Sequence, residues 1–383
     1  MRTPSKFTTV LLAILFASFF QLACSDGPTD PPPASSPWKE FALPDTLRAS
    51  TLTGIAASDD RVLVLGATGT SGTKPDYLLE SDISHWTAHT LPVDSNDFLF
   101  GVAMDAAGKE VIVGANASGG GSPVVMAERP GWTRVTLPVT SHDLRAVAVD
   151  PSSGTFLATG STGSNLLVLS GTADGSWTTV PIPSLGDPQD KSLVDVAYGS
   201  GTWVACGFDD GADGTEDSPF SLVLMDDGSG WTLLKGTRCG ACGSRKYNAV
   251  AVNQAGAILL GGAITDNSAG AADELVAFLS QYDPAHDEWS EIALPEAGAL
   301  DQVNDILVAE SGDIYLACGE SSAALVRIAA AGGATIEWHS SEVILQALAE
   351  SWRGDIFAVG SKGPVNAFPR DPYMLWRPIQ LSY

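Results

Sequence analysis

Seven times along this chain a short apolar run ends in glycine: Val-Leu-Gly66, Ile-Val-Gly114, Ala-Thr-Gly160, Ala-Cys-Gly207, Leu-Leu-Gly261, Ala-Cys-Gly319 and Ala-Val-Gly360. Successive glycines stand 41 to 58 residues apart. A unit repeated every 40–50 residues or so is the signature of β-propeller blades. The expected fold is therefore all-β, a seven-bladed β-propeller of four-stranded antiparallel blades. Such a fold hosts many unrelated activities, so function has to be argued from particular residues.

The third copy shows the module most clearly. Leu144 to Asp150 alternates around Ala146 and Ala148, small residues suited to a crowded innermost strand. Thr155–Thr159, Asn165–Ser170 and Trp177–Ile182 follow as second, third and fourth strands. Alternation of period two with turn signals every 8–12 residues is the pattern of short antiparallel strands. The 40 glycines, 23 prolines and 10 tryptophans suit such a chain, and no segment carries a sustained apolar stripe of helical period. At 383 residues the length alone would suggest two or three domains, but the uniform repeat overrides it.

Tryptophan opens the expected fourth strands, at Trp86, Trp132, Trp177, Trp231, Trp289 and Trp338. The seventh copy breaks step, because Trp376 and its neighbours align with third strands instead. The missing piece stands at the other end of the chain, in Trp38-Lys39-Glu40-Phe41-Ala42-Leu43-Pro44. Residues 38–43 are thus expected to complete the last blade and close the ring.

The first six residues carry Arg2 and Lys6, Phe7 to Phe20 is almost wholly apolar, and Gln21-Leu22-Ala23-Cys24 precedes a polar, proline-rich stretch. A short charged head, a short apolar run and small residues before a cut site make a secretory signal. With cysteine at the cleavage point, the segment resembles a bacterial lipoprotein signal, although Gln21 stands where that family prefers leucine. The resemblance implies a signal peptide over 1–23, a lipid on Cys24, and a location in the cell envelope, with Ser25 compatible with transfer to the outer membrane. Residues 24–37 read as an extended tether, and residues 38–383 as the propeller. Net charge is −25, or −27 without Arg2 and Lys6. That sign disfavours nucleic acid and anionic lipid headgroups as partners, and it keeps an exported protein soluble.

Connections between second and third strands, and between blades, share one face of a propeller. Here they are the long ones: residues 67–76, 115–122, 208–218, 263–273 and 361–371. Loops that vary on a constant scaffold mark a binding face or a passive surface. On that face Asp209, Asp210, Asp213, Glu216 and Asp217 crowd one loop. Clustered carboxylates around glycines either supply oxygens to Ca²⁺, through Asp209, Asp213 and Asp217, or form a solvated acidic loop. The spacing is not that of an EF-hand. No other cofactor is expected.

The next connection holds Arg238-Cys239-Gly240-Ala241-Cys242, followed by Arg245 and Lys246. The Cys-x-x-Cys pair reads as a small disulfide pinning the loop, with a redox dithiol or half of a metal site as alternatives. Arg238, Arg245 and Lys246 face the acidic loop across adjacent connections, which allows an ion-pair clasp. Cys206 and Cys318 read as buried apolar residues at matching second-strand positions.

The turns before the tryptophans, such as Asp226-Asp227-Gly228-Ser229-Gly230-Trp231, resemble degenerate Asp-box hairpins of BNR-repeat propellers, the group that includes sialidases. Blade five, with Leu260-Gly261-Gly262 and Tyr282-Asp283-Pro284, is closer to a kelch repeat. The resemblance is structural in grade. Sialidases need an arginine triad and a Phe-Arg-Ile-Pro type motif, which Trp376-Arg377-Pro378-Ile379 approaches without matching. The copper oxidases built on kelch propellers need a tyrosine and histidine set, whereas His85, His89, His142, His286 and His339 are scattered.

The expected function is recognition without catalysis: a lipid-anchored, monomeric module that binds an envelope protein or a glycan through its loop face. The alternative is a polysaccharide-acting hydrolase or lyase with carboxylates such as Asp195 and Asp305 near the channel. Glycosidases place two carboxyl groups about 5 to 9.5 Å apart, and a carboxylate in a first strand serves equally to brace neighbouring blades.

Overall fold

The computed structural model describes residues 36–43, 51–58, 61–67, 77–81, 86–117, 121–129, 131–161, 165–184, 191–209, 221–234, 245–266, 274–295, 300–320, 322–351, 353–363 and 370–379. Among these residues there is no helix. Twenty-eight strands form seven separate four-stranded antiparallel sheets within the unit Pro37–Tyr383.

Blade one is β2 (Thr51–Ala57), β3 (Val62–Ala67), β4 (Tyr77–Ser81) and β5 (Trp86–Thr90), while β1 (Lys39–Glu40) belongs elsewhere. Blade two is β6 (Asp97–Met104), β7 (Glu110–Asn116), β8 (Ser122–Arg129) and β9 (Gly131–Arg134). Blade three is β10 (Asp143–Asp150), β11 (Thr155–Ser161), β12 (Leu166–Gly171) and β13 (Thr178–Thr179). Blade four is β14 (Lys191–Gly199), β15 (Thr202–Asp209), β16 (Ser221–Asp226) and β17 (Thr232–Leu234). Blade five is β18 (Arg245–Val252), β19 (Ile258–Asp266), β20 (Glu274–Asp283) and β21 (Glu288–Glu291). Blade six is β22 (Val303–Val308), β23 (Ile314–Cys318), β24 (Ala323–Ile328) and β25 (Ala334–Ser340). Blade seven runs β26 (Val343–Glu350), β27 (Ile356–Lys362) and β28 (Asp371–Arg377), and takes β1 as its outer strand.

Ring closure is as the sequence implies. Lys39 pairs with Trp376 and Glu40 with Leu375, and the Phe41 amide donates to the Met374 carbonyl at 2.9 Å. Trp38 is buried against Tyr315 of blade six, and its Nε1–H donates to Glu337 Oε2 at 2.9 Å.

The core lies in the seams rather than within any blade, because each sheet is apolar on both faces. Seven buried clusters each draw on two successive blades. One of them joins Leu52 and Val64 of blade one to Phe357 and Met374 of blade seven, so the apolar seams form a closed circuit.

Every inner strand carries a bulge at the same place. The register slips between Leu52/Gly54, Leu99/Gly101, Leu144/Ala146, Leu193/Asp195, Tyr247/Ala249, Val303/Asp305 and Leu345/Ala347. A bulge sets two residues against one and bends the strand. It also explains the repeated glycine. At Gly114, Gly160, Gly207 and Gly360 a Cβ would land on a first-strand carbonyl oxygen just before the bulge, for Gly160 that of Asp143.

This register corrects three expectations. In blade five the glycine facing the bulge is Gly262, opposite Tyr247, and not Gly261. In blade six the position is held by Cys318, opposite Val303, while Gly319 follows just past the strand at φ 105°. Cys206 pairs with Asp195, one step before the glycine, so the two buried cysteines do not match in position. A further correction concerns the tryptophans: Trp338 is the fifth residue of β25, because a slip between Leu325 and Val326 lengthens that strand.

The Asp226 turn has a clear physical basis. Gly228 and Gly230, both at positive φ, donate their amides to Asp226 Oδ1 at 2.9 and 3.0 Å, and Trp231 follows buried.

Candidate functional site

The seven bulges put one residue per blade at the central channel: Thr53, Phe100, Arg145, Val194, Asn248, Asn304 and Gln346. These residues, with the two carboxylates Asp195 and Asp305, line a cavity of about 220 Å³. No single strand makes this site; the pitch of the bulge makes it seven times over.

Several of these side chains tie one blade to the next. Thr53 Oγ1 lies 3.4 Å from the Leu99 carbonyl of blade two and 3.5 Å from the Leu65 carbonyl of its own blade. Asn248 Nδ2 donates to the Val303 carbonyl of blade six at 3.3 Å. Asn304 Nδ2 donates to Leu345 of blade seven and to Gly319, both at 2.8 Å. Leu99, Val303 and Leu345 each stand immediately before their own blade's bulge, so the tie is the same in kind at three seams.

The carboxylates repeat a second tie. Asp195 Oδ1 accepts from the Val196 amide at 2.8 Å, and Oδ2 from Val250 of blade five at 2.7 Å. Asp305 Oδ1 accepts from Ile306 at 2.7 Å, and Oδ2 from Leu348 of blade seven at 2.6 Å. Each carboxyl group therefore caps an inner-strand amide of the next blade. Burial holds both above the ordinary aspartate range, and the charge of Asp305 pushes Asp195 further up, against the opposing pull of the amide bonds.

Arg145 belongs to blade three, next to the blade of Asp195. Its guanidinium pairs with Asp143 Oδ2 at 2.7 Å and lies over the Phe100 ring, 4.8 Å from the centroid. Asp143 Oδ1 in turn accepts from Ser161 Oγ at 3.0 Å.

The residues singled out on the loop face are placed as follows. Asp209 ends β15 opposite Lys191, and Arg245 opens β18 opposite Ile264. The Lys246 ammonium lies over the Phe208 ring at 5.2 Å, so the first strand of blade five reaches the end of the second strand of blade four. Cys24, Asp210, Asp213, Glu216, Asp217, Arg238, Cys239 and Cys242 lie outside the described residues, and with them the Ca²⁺, disulfide and lipid expectations. Asp195 and Asp305 are brought to the channel together. On the opposite face a hollow of about 520 Å³ lies between blades two and three, where Lys109 pairs with Asp174.

The ring of bulged residues was not anticipated from the sequence. Its signal is a residue 13 to 15 positions before the glycine of each module, as in Thr53 before Gly66 and Arg145 before Gly160. In blades one, three, five, six and seven that residue is polar or charged.

No family model and no curated protein matches the sequence. Solved structures do match. One, described as YCF48 bound to D1 peptide, is similar at a TM-score of 0.60 and 14% identity, over 91% of this chain and 99% of that one. The WD40 β-propeller domain of Doa1 is similar at a TM-score of 0.56 and 12% identity, over 86% and 93%. At these identities the likeness is one of fold.

Proposed function

We propose that this chain is a protein-recognition scaffold, which presents the face carrying its long connections to a partner in the bacterial cell envelope. A lipid on Cys24 and a tether over residues 24–37 hold it at the membrane in this reading, with glycan as the second class of ligand. The observation that carries it is the use made of the channel carboxylates. Asp195 and Asp305, the pair that an acid–base enzyme would use, each give one oxygen to the next amide of their own strand and the other to an amide across a seam. The channel cavity of about 220 Å³ is also smaller than the pockets of ~300–1,000 Å³ that usually hold small molecules. Among fold neighbours, YCF48 was solved with a peptide bound, which supports a protein partner.

The test is capture from native envelope extract by the mature chain carrying Cys24→Ser. A parallel bait has residues 208–218 and 263–273 replaced by Gly-Ser segments. A partner retained by the first bait and lost by the second is the expected result. Equal retention by both, or turnover of a polysaccharide by the purified chain, would overturn the reading.

A further inference from the structure

We propose that the channel mouth is a socket for one cationic side chain, a lysine or arginine presented by the protein partner. This rests on the recognition reading above and names the chemistry at its centre.

The lining determines the sign of the occupant. Asn304 spends both amide hydrogens on the carbonyls of Gly319 and Leu345, and Asn248 directs its amide nitrogen to Val303. What Asn304 retains for a ligand is an oxygen. Asp195 and Asp305 are acceptors with no cation within ion-pair distance among the described residues. Arg145 is already matched by Asp143 and stacked on Phe100. The Asn304 oxygen and the two carboxyl groups favour a ligand that donates several hydrogen bonds, as an ammonium or guanidinium does.

Charge and size agree with that choice. Desolvation without a counterion disfavours the ionised form of both carboxyl groups, and an entering cation favours it again. The net charge of −25 draws cations towards the molecule and repels anions. The cavity is of a size for one side chain, not for a folded element. A metal ion fits less well. Hard cations require six or more oxygens at about 2.3–2.6 Å, whereas these acceptors are spread around a ring, and no group of three or more His, Cys, Asp or Glu gathers among the described residues.

The test is calorimetric titration of the full chain, in detergent at low salt, with three blocked pentapeptides: acetyl-Gly-Gly-Lys-Gly-Gly-amide and its Arg and Gln counterparts. The Lys or Arg peptide should bind at least tenfold more tightly than the Gln peptide. Gln346→Arg sets a guanidinium of the chain's own in the cavity, from an exposed residue that ties no blade, and should weaken that binding at least tenfold. Val194→Arg, from another blade, is the second plug should the first not fold. Equal affinity for the three peptides, or binding indifferent to both plugs, would overturn the proposal. So would tight binding of CaCl₂ alone that the plugs abolish, since the socket would then hold a metal. If Gln346→Arg retains the captured partner as well as the wild type does, the socket fails while the recognition reading stands. Loss of discrimination by the loop-replaced bait instead removes the reading itself.

Discussion

At Gly160 the backbone of β11 passes so close to the bulge of β10 that an added Cβ would fall on the Asp143 carbonyl oxygen. A carbonyl held in a sheet has nowhere to go, so Gly160→Ala forces the two strands apart. Its expected cost is about 3 kcal/mol or more, at the upper end of overpacking changes. Gly54, in the bulge region of β2, is a fair control, since its Cβ would meet neighbours only at 3.4 to 3.7 Å. Gly54→Ala is expected to shift stability by no more than ~1 kcal/mol. Urea denaturation of the two variants checks both, and equal midpoints would refute the role given to the repeated glycine. The sequence shows this glycine plainly but not its purpose. In blade five the doublet Gly261-Gly262 offers two choices, and only the pairing of Tyr247 with Gly262 selects between them. In blade six the role falls to Cys318, which no glycine pattern would reveal.

At the scale of elements, the two-residue strand β1 would be negligible alone. Its anchorage comes from what flanks it. Trp38 is 5% exposed and packs edge-on against Tyr315, while Phe41 meets Trp86 and Trp376 at 5.6 and 6.2 Å. Trp38→Ala should cost about 3–5 kcal/mol, the usual range for deleting a buried tryptophan. Trp38→Phe should cost less, because it loses the bond to Glu337 but keeps most of the packing. Deleting residues 37–44 should abolish the single cooperative transition seen by calorimetry. A deletion that melts like the intact chain would disprove the latch. The latch was readable in the sequence, because a tryptophan strand without a blade at one end answers a blade without one at the other. The channel was not. Its lining comes from seven strands some 50 residues apart, and which residue turns inward depends on a bulge that alternation does not mark.

For the whole molecule, the seams set how stability depends on pH. Burial raises Glu110 to about 8 against the pull of Arg61, and it raises Asp195, Asp305 and Glu350 above their ordinary values. A group with a raised folded pKa contributes stability that is complete below its unfolded pKa, near 4 for carboxyl groups, and is lost as pH climbs through the folded value. Asp227 and Asp283, held low by hydrogen bonds, act in the opposite sense but only at more acid pH. His142, lowered by burial, likewise opposes the trend only below about its ordinary value of 6.5. Between pH 6.5 and 8.5 the melting temperature should therefore fall by a few degrees, and Glu110→Gln should flatten the slope. A melting temperature that rises over this interval would show that these groups are charged in the fold.

Ring closure also orders events in time. The strand that completes blade seven, β1, is made before every other strand of the propeller, and its partner Trp376 lies in the last of them. A ribosome working from the amino end therefore produces Trp38 long before there is anything for it to join. Until β28 has been made, the seam between blades seven and one stays open. The entropic cost of so long a closure grows only slowly with length, by about 0.6 kcal/mol per doubling, so the join is demanding in timing more than in energy. Between the making of β1 and of β28 the growing propeller is an open arc with an unpaired edge, and it is in that interval that it is most exposed to mispairing or to a chaperone.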